Sequence, residues 1–268
     1  MQKNSQTVMI AKTLQDVFYH KNTVDSLQIV GGCTDIKKLE EKALTIRFID
    51  DLKGYEKKER YIDFGPAISL NEMLNIGSGK IPDVLYQALS TIANSAVRNL
   101  ATLGGNIFAQ GVYHTLWAPL LALDAKLEFK KENESKIIPM NSFYGIPEGF
   151  ILTKVRVPLD EYELAIFRRL GPASSISPLS AGFVFLADTE KNLISNIKIA
   201  FAGPILFRSR DLENRLLGEK LPISEATIKE VLEDASHLYD GAFDAKEAPS
   251  ILKAQFLKLL YYALKQLA

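Results

Sequence analysis

The 268-residue sequence contains one cysteine, Cys33, and three scattered histidines, His20, His114 and His237. A single thiol excludes an internal disulfide framework, and it excludes a four-cysteine iron–sulfur or zinc site built by this chain alone. The histidines lack ligand spacing, so no metal site is expected. Lys plus Arg and Asp plus Glu number 32 each, a formal net charge of zero. No overall field then favours nucleic acid or an anionic membrane, and affinity for phosphate must come from local geometry. There is no run of about 18 apolar residues, and "MQKNSQTVMIAKTLQDVFYH" has no apolar stretch of signal-peptide length. The expectation is a cytoplasmic protein with no membrane insertion and no nucleic-acid partner. Equally missing are a Ser-His-Asp set, H-E-x-x-H, paired catalytic carboxylates, G-x-G-x-x-G and a P-loop lysine. No catalytic residue is expected on this chain.

What is present is an ordinary core-forming composition, 47% hydrophobic and 24% charged, in a chain long enough for two domains. "LQIV" (27–30) reads as a buried strand ending in Gly31–Gly32, and "LTIRFID" (44–50) alternates as a strand. "DLKGYEKKER" (51–60) reads as a solvated hairpin before the strand "YIDFG", because Glu56 and Glu59 break its basic run. From Pro82 to Asn99 the pattern predicts one helix, with Leu85, Leu89, Ile92 and Ala96 on its apolar stripe. "WAPLLALDAKLEF" predicts an apolar helix and then a strand from Lys126, and "KIIPM" and "FILTKVRVPL" are further strands. After a boundary at 158–162, "YELAIFRRL", "LSAGFVFLAD" and "LISNIKIAFAGPI" predict an antiparallel sheet. Two amphipathic helices follow, capped by Ser224 and Ser250, the last lined by Ile251, Phe256, Leu259, Leu260 and Ala263. The fold class is α+β, with domains at 1–159 and 160–268.

Two segments stand out, "IVGGCTDI" (29–36) and "RNLATLGGNIFAQG" (98–111). Glycine lets a backbone curl so that N–H groups face a phosphate, with no Cβ to hold it away. Either pair alone is a weak signal, because glycine pairs are mainly turn formers.

Together these segments resemble the FAD-binding subunit of molybdenum hydroxylases, the family of xanthine dehydrogenase and carbon monoxide dehydrogenase. "IVGGCTDI" is similar to its "VAGGTDL" loop, and "IANSAVRNLATLGGNIF" to its "IAS-QIRN-GTIGGN" segment. The resemblance runs on through "PLLALDAKLEF", "ILTKVRVP" and "FRRLG" to "IKIAFAGPILFRSRDLENRLLGEKL". It implies a PCMH-like FAD-binding domain of two subdomains, followed by a small antiparallel-sheet-plus-helices domain. It implies non-covalent FAD here, with [2Fe–2S] clusters on a small partner subunit and molybdopterin on a large one. Electrons would pass from the clusters through FAD to NAD or another acceptor. By the same resemblance Ile29, Val30, Gly31, Gly32, Cys33, Thr34, Asp35 and Ile36 wrap the pyrophosphate, with side-chain contacts from Thr34 and Asp35. Thr102, Gly104, Gly105 and Asn106 close over it from the other side. Ile92 packs near the flavin ring, Leu152 offers backbone to the isoalloxazine edge, and Arg168 stands where relatives often carry lysine. Read without the resemblance, Ile92 and Leu152 are core positions and Arg168 is surface charge.

The sequence departs from the family in two places. Cys33 replaces the second glycine of the first loop, and Thr115 and Leu116 stand where Ser and Asp are usual. Two other functions remain open at this point: a flavin-free scaffold subunit of the same complex, and a stand-alone FAD reductase of the same fold.

Overall fold

The computed structural model describes residues 6–173, 175–242 and 248–267. Residues 1–5 of the amino-terminal stretch and Ser174 of the 171–178 turn therefore lie outside the described residues. The chain divides into two compact units. One is Met1–Lys80 with Ala93–Ala109 and Asp124–Leu159, and the other is Ile81–Ile92 with Gln110–Leu123 and Asp160–Ala268. In chain order, β1 (Thr7–Ile10), α1 (Leu14–Thr23), β2 (Gln28–Val30), β3 (Lys42–Thr45), β4 (Tyr55–Lys57), β5 (Tyr61–Phe64) and α2 (Leu70–Asn75) open the first unit. The second then receives α3 (Asp83–Ser90), the first α4 (Ser95–Arg98) and α5 (Leu103–Ile107), and the second α6 (Trp117–Ala122). Strands β6 (Lys126–Lys131), β7 (Glu134–Pro139) and β8 (Ile151–Pro158) complete the first unit. The second continues with β9 (Leu164–Leu170), β10 (Ala181–Glu190), β11 (Leu193–Ala202), β12 (Leu206–Phe207), α7 (Arg210–Leu216), α8 (Glu225–Asp240) and α9 (Ser250–Leu264).

The first unit holds two sheets. Strands β1-β3-β2 form a small sheet whose pairings are both parallel. Helix α1 covers it, started by a reciprocal cap in which the Thr13 hydroxyl accepts from the Asp16 amide and the Asp16 carboxylate from the Thr13 amide. Val17 from α1 meets Leu44, Ile49, Leu52 and Ala67 in a closed apolar cluster. The other sheet, β4-β5-β8-β6-β7, is antiparallel throughout. The expected charged hairpin is there as β4 and β5.

Two expectations fail here for physical reasons. The strand from residue 44 ends at Thr45, because Ile46 and Ile49 turn the chain inward: the Ile49 amide bonds Ile46 O at 3.2 Å, and Ile49 is only 1% exposed. The helix expected over 82–99 is broken between α3 and α4. Ala93 takes φ 41° and Asn94 restarts the chain as an N-cap, its side chain accepting from the Val97 amide. Ala96 is then exposed and off the apolar stripe.

In the second unit, sheet β12-β11-β10-β9 is antiparallel. Both faces of β10 are covered. Phe183 and Phe185 point into a cluster with Phe201, Phe207, Tyr239 and Phe256, whereas a Cβ on Gly182 would meet Ala118 of α6. Full burial of each such phenylalanine contributes about 1.5–3 kcal/mol. Ser224 caps α8 as expected, its side chain accepting from the Thr227 amide. Ser250, by contrast, is the first residue of α9 after Pro249 and makes no cap. The α9 stripe starts at Leu252, leaving Ile251 51% exposed. The short helix α7, capped by Ser209, was not foreseen.

Candidate functional site

The two glycine segments meet inside the first unit. Val30 lies opposite Thr45 in the parallel β2–β3 pair, so the chain leaves β2 at Gly31 from the carboxyl-terminal edge of that sheet. Ligands of open parallel sheets bind at this edge. A Cβ on Gly31 would lie 2.8 Å from Thr102 Oγ1, and one on Gly32 would lie 1.7 Å from the Leu100 carbonyl oxygen. Glycine at 32 therefore lets two backbones touch. Cys33 follows at φ 54°, in the left-handed region that costs a residue with a Cβ roughly 1–2 kcal/mol. The residue standing at a family glycine thus keeps a glycine-like backbone, with its thiol exposed.

The second segment is a helical turn rather than a loop. Thr102 caps α5, its Oγ1 accepting from the Gly105 amide at 3.1 Å. Gly104 is buried with its missing Cβ 3.1 Å from Pro66, and Gly105 faces only its own cap hydroxyl, at 3.0 Å. The amides of this turn are all occupied: Leu103 donates to Ile68 O, Gly104 to Pro66 O, Gly105 to Thr102 Oγ1 and Asn106 to Thr102 O.

The first segment is the opposite. The amides of Gly31, Gly32, Cys33 and Thr34 donate to no protein acceptor among the described residues. Adjacent backbone N–H groups left open in a glycine bend form an anion-binding concavity. Two of the four positions carry no side chain, and the exposed Thr34 adds a hydroxyl. The residues present fit a pyrophosphate.

The remaining expected positions are spread more widely. Val30 is 4% exposed, Ile29 packs against the β1–β3 core, and Asp35 and Ile36 are on the surface. Asn106 is buried in α5. Leu152 is buried on β8 opposite Phe129, in the same unit as the glycine segments. Ile92 and Arg168 belong to the second unit. The Ile92 amide bonds Leu89 O at 3.2 Å, and Arg168 Nη1 donates to Phe167 O at 2.8 Å. Thr115 and Leu116 are buried at the start of α6. Sequence reasoning missed two carbonyl oxygens, that of Leu100, which lies against Gly32, and that of Pro66, which accepts from the Gly104 amide. Carbonyl acceptors are common to every residue type and leave no mark in the sequence. Among the described residues no group of three or more His, Cys, Asp or Glu could hold a metal ion, and no helix is long and apolar enough to cross a membrane.

An α+β chain with open amides at the carboxyl edge of a parallel sheet belongs, as a class, with proteins that cradle a phosphorylated cofactor. Residues 3–160 match the FAD binding domain in molybdopterin dehydrogenase, and the chain belongs to this family of FAD-binding oxidoreductase components. It is 27% identical over 233 residues to the glyceraldehyde dehydrogenase medium chain of Sulfolobus acidocaldarius, covering 79% of this chain and 80% of that one. It is 24% identical over 195 residues to the carbon monoxide dehydrogenase medium chain of Hydrogenophaga pseudoflava, covering 67% and 66%. In fold it matches a solved carbon monoxide dehydrogenase chain from Hydrogenophaga pseudoflava, with a TM-score of 0.82 at 16% identity, over 98% of this chain and 96% of that one.

Proposed function

We propose that this chain is the FAD-binding electron-transfer subunit of a xanthine dehydrogenase-like molybdenum hydroxylase. In this reading electrons arrive from [2Fe–2S] clusters on partner chains and leave for NAD or another acceptor. The observation that carries it is the run of four open amides from Gly31 to Thr34, beside a turn whose own amides are all occupied. Bound FAD would supply the redox chemistry, since flavin exchanges electrons singly or as hydride.

The protein's own part is binding and orientation. Gly31, Gly32, Cys33 and Thr34 hydrogen-bond the pyrophosphate, and the Thr34 and Asp35 side chains add contacts. Thr102, Gly104, Gly105 and Asn106 form the opposing wall, held in place by Pro66 and Ile68. Ile29, Val30 and Ile36 fix the ends of the wrapping segment. Ile92, Leu152 and Arg168 are proposed flavin contacts on the strength of the resemblance alone. The partners are an iron–sulfur small subunit and a molybdopterin large subunit, as the medium-chain relatives suggest. Domains 1–159 and 160–268 and a cytoplasmic location go with this reading, as does a matched segment ending at residue 160.

The purified chain should be yellow and should release its flavin on acid precipitation, as a non-covalent cofactor does. A chain that stays colourless after incubation with excess FAD is the flavin-free scaffold instead. Co-purification from its native host should bring down iron–sulfur and molybdopterin chains, whereas full turnover by the isolated chain with NADH and a small substrate would indicate a stand-alone reductase.

A further inference from the structure

Arg47 stands just past the end of β3, the strand paired with the one that leads into the open amides. Ile46 donates its amide to Val30 O at 3.1 Å, so Arg47 leaves β3 at the same sheet edge from which Gly31 leaves β2. Its Nη2 then donates to the Asn99 carbonyl at 3.3 Å. The next residue, Leu100, is the one whose carbonyl lies against Gly32. Three segments thus converge: the amide run, the 99–102 backbone and one guanidinium. Arg47 is half-buried and has no carboxylate within ion-pair distance among the described residues. A guanidinium has five N–H donors, and the Asn99 carbonyl accepts from only one of its nitrogens. Its other donors make no further hydrogen bond among the described residues, and its charge, which also helps hold the Glu72 carboxyl below its usual range after the larger effects of the Ser69 hydrogen bonds, meets no carboxylate at contact distance.

We propose that Arg47 forms the charged wall of the cradle, neutralising the pyrophosphate held by the Gly31–Thr34 amides and so setting the preference for FAD over phosphate-free riboflavin. This rests on the FAD reading above. Amides supply dipoles but no charge, and a protein of zero net charge has no general field to compensate a pyrophosphate. A planar guanidinium suits paired phosphate oxygens better than an ammonium does.

The test is titration of the whole chain, after removal of its flavin, with FAD and with riboflavin at low and high salt. Wild type, Arg47→Met and Arg47→Lys are compared by quenching of flavin fluorescence. Arg47→Met should weaken FAD by about ten- to a hundredfold at low salt. The deficit should shrink at high salt, riboflavin affinity should be unchanged, and Arg47→Lys should recover part of the loss. Should Arg47→Met not fold, Arg47→Gln keeps a donor for the Asn99 carbonyl without the charge and serves in its place. A loss equal at both salt concentrations, or equal for riboflavin and FAD, would show that Arg47 only anchors Asn99, and the proposal falls. Wild-type affinity for FAD in Arg47→Met also overturns it while leaving the FAD reading intact. No FAD binding by wild type removes both.

Discussion

Gly32 and the carbonyl of Leu100 are packed so closely that a Cβ on the glycine would lie 1.7 Å from that oxygen. The obstacle is backbone, which cannot swing aside as a side chain can. Gly32→Ala must therefore push the amide run away from the 99–102 segment. Overpacking of this kind costs about 1–3 kcal/mol. We expect a folded protein with a lowered melting temperature and at least tenfold weaker FAD binding. Gly105→Ala is the informative partner. Its Cβ would meet only Thr102 Oγ1, at 3.0 Å, and alanine is the better helix former. It should keep a melting temperature near wild type, so an equal fall in melting temperature in the two variants would contradict this account of the Gly32–Leu100 contact.

Thr102 joins the two segments through its hydroxyl, which caps α5 and lies against Gly31. Thr102→Val keeps the shape but leaves the Gly105 amide without its acceptor, a loss of about 0.5–2 kcal/mol for an N-cap. Thr102→Ser retains the oxygen and should melt close to wild type. Thermal unfolding of the three proteins reads this directly, and a Thr102→Val melting point equal to wild type would mean that the cap contributes nothing.

The cradle was half legible in the sequence. "IVGG" after a strand marked a glycine bend, and its amides are indeed open among the described residues, although a glycine pair alone reads mainly as a turn. "TLGGN" looked like a second such loop, yet it is a capped helical turn with its amides committed to Pro66, Ile68 and Thr102. The two readings differ only in which carbonyls lie opposite, and that is decided by segments over thirty residues away. The break in the 82–99 helix was hidden for a related reason. Ala93 gives no local warning of φ 41°, and the favoured N-cap residue Asn94 behind it was masked by the apolar spacing that runs across it. The hairpins were easier to read because their turns and alternation are local, and the β10 run was recognisable because it is apolar on both faces. Arg47 carried no signal at all: its role depends on two parallel strands ending at one edge.

Acid should weaken the first unit through Asp63. This carboxylate is 4% exposed and paired across β5 and β8 with Arg156, at 2.7 and 2.8 Å, with Lys154 at 3.4 Å. Burial pushes its pKa up, but the hydrogen bonds and charge of Arg156, joined by Lys154, outweigh burial and hold it below the usual carboxylate range. A depressed folded pKa means that the unfolded chain takes up this proton at higher pH than the folded one. The contribution is therefore complete above the unfolded value of about 3.9 and is lost as pH falls through the folded value. Asp63→Asn should cost about 1–3 kcal/mol at neutral pH, a figure held down by the partly exposed Arg156. It should also flatten the acid limb of stability below about pH 4. Chemical denaturation across pH tests both, and an unchanged acid limb would assign acid sensitivity to other carboxylates.

The strongest charge dependence should lie in the second unit, at Arg208 and Glu213. Their side chains are 4% and 5% exposed, with Arg208 Nε donating to Glu213 Oε1 at 2.9 Å. The same oxygen accepts from the Ile199 amide at 3.0 Å, and Arg208 Nη1 donates to the Leu121 carbonyl. One ion pair therefore ties α7 to β11 and to the end of α6. Removing one member leaves a buried charge without its partner, which costs about 3–5 kcal/mol, whereas replacing both with apolar groups is often nearly neutral. Glu213→Leu should accordingly destabilise far more than Arg208→Met combined with Glu213→Leu, a reversal of simple additivity. Urea unfolding gives the coupling, and hydrogen exchange at the Ile199 amide localises it, since that N–H loses its acceptor in either variant. Additive losses in the double variant would mean that the two side chains act independently, with the Leu121 and Ile199 contacts carrying the stability.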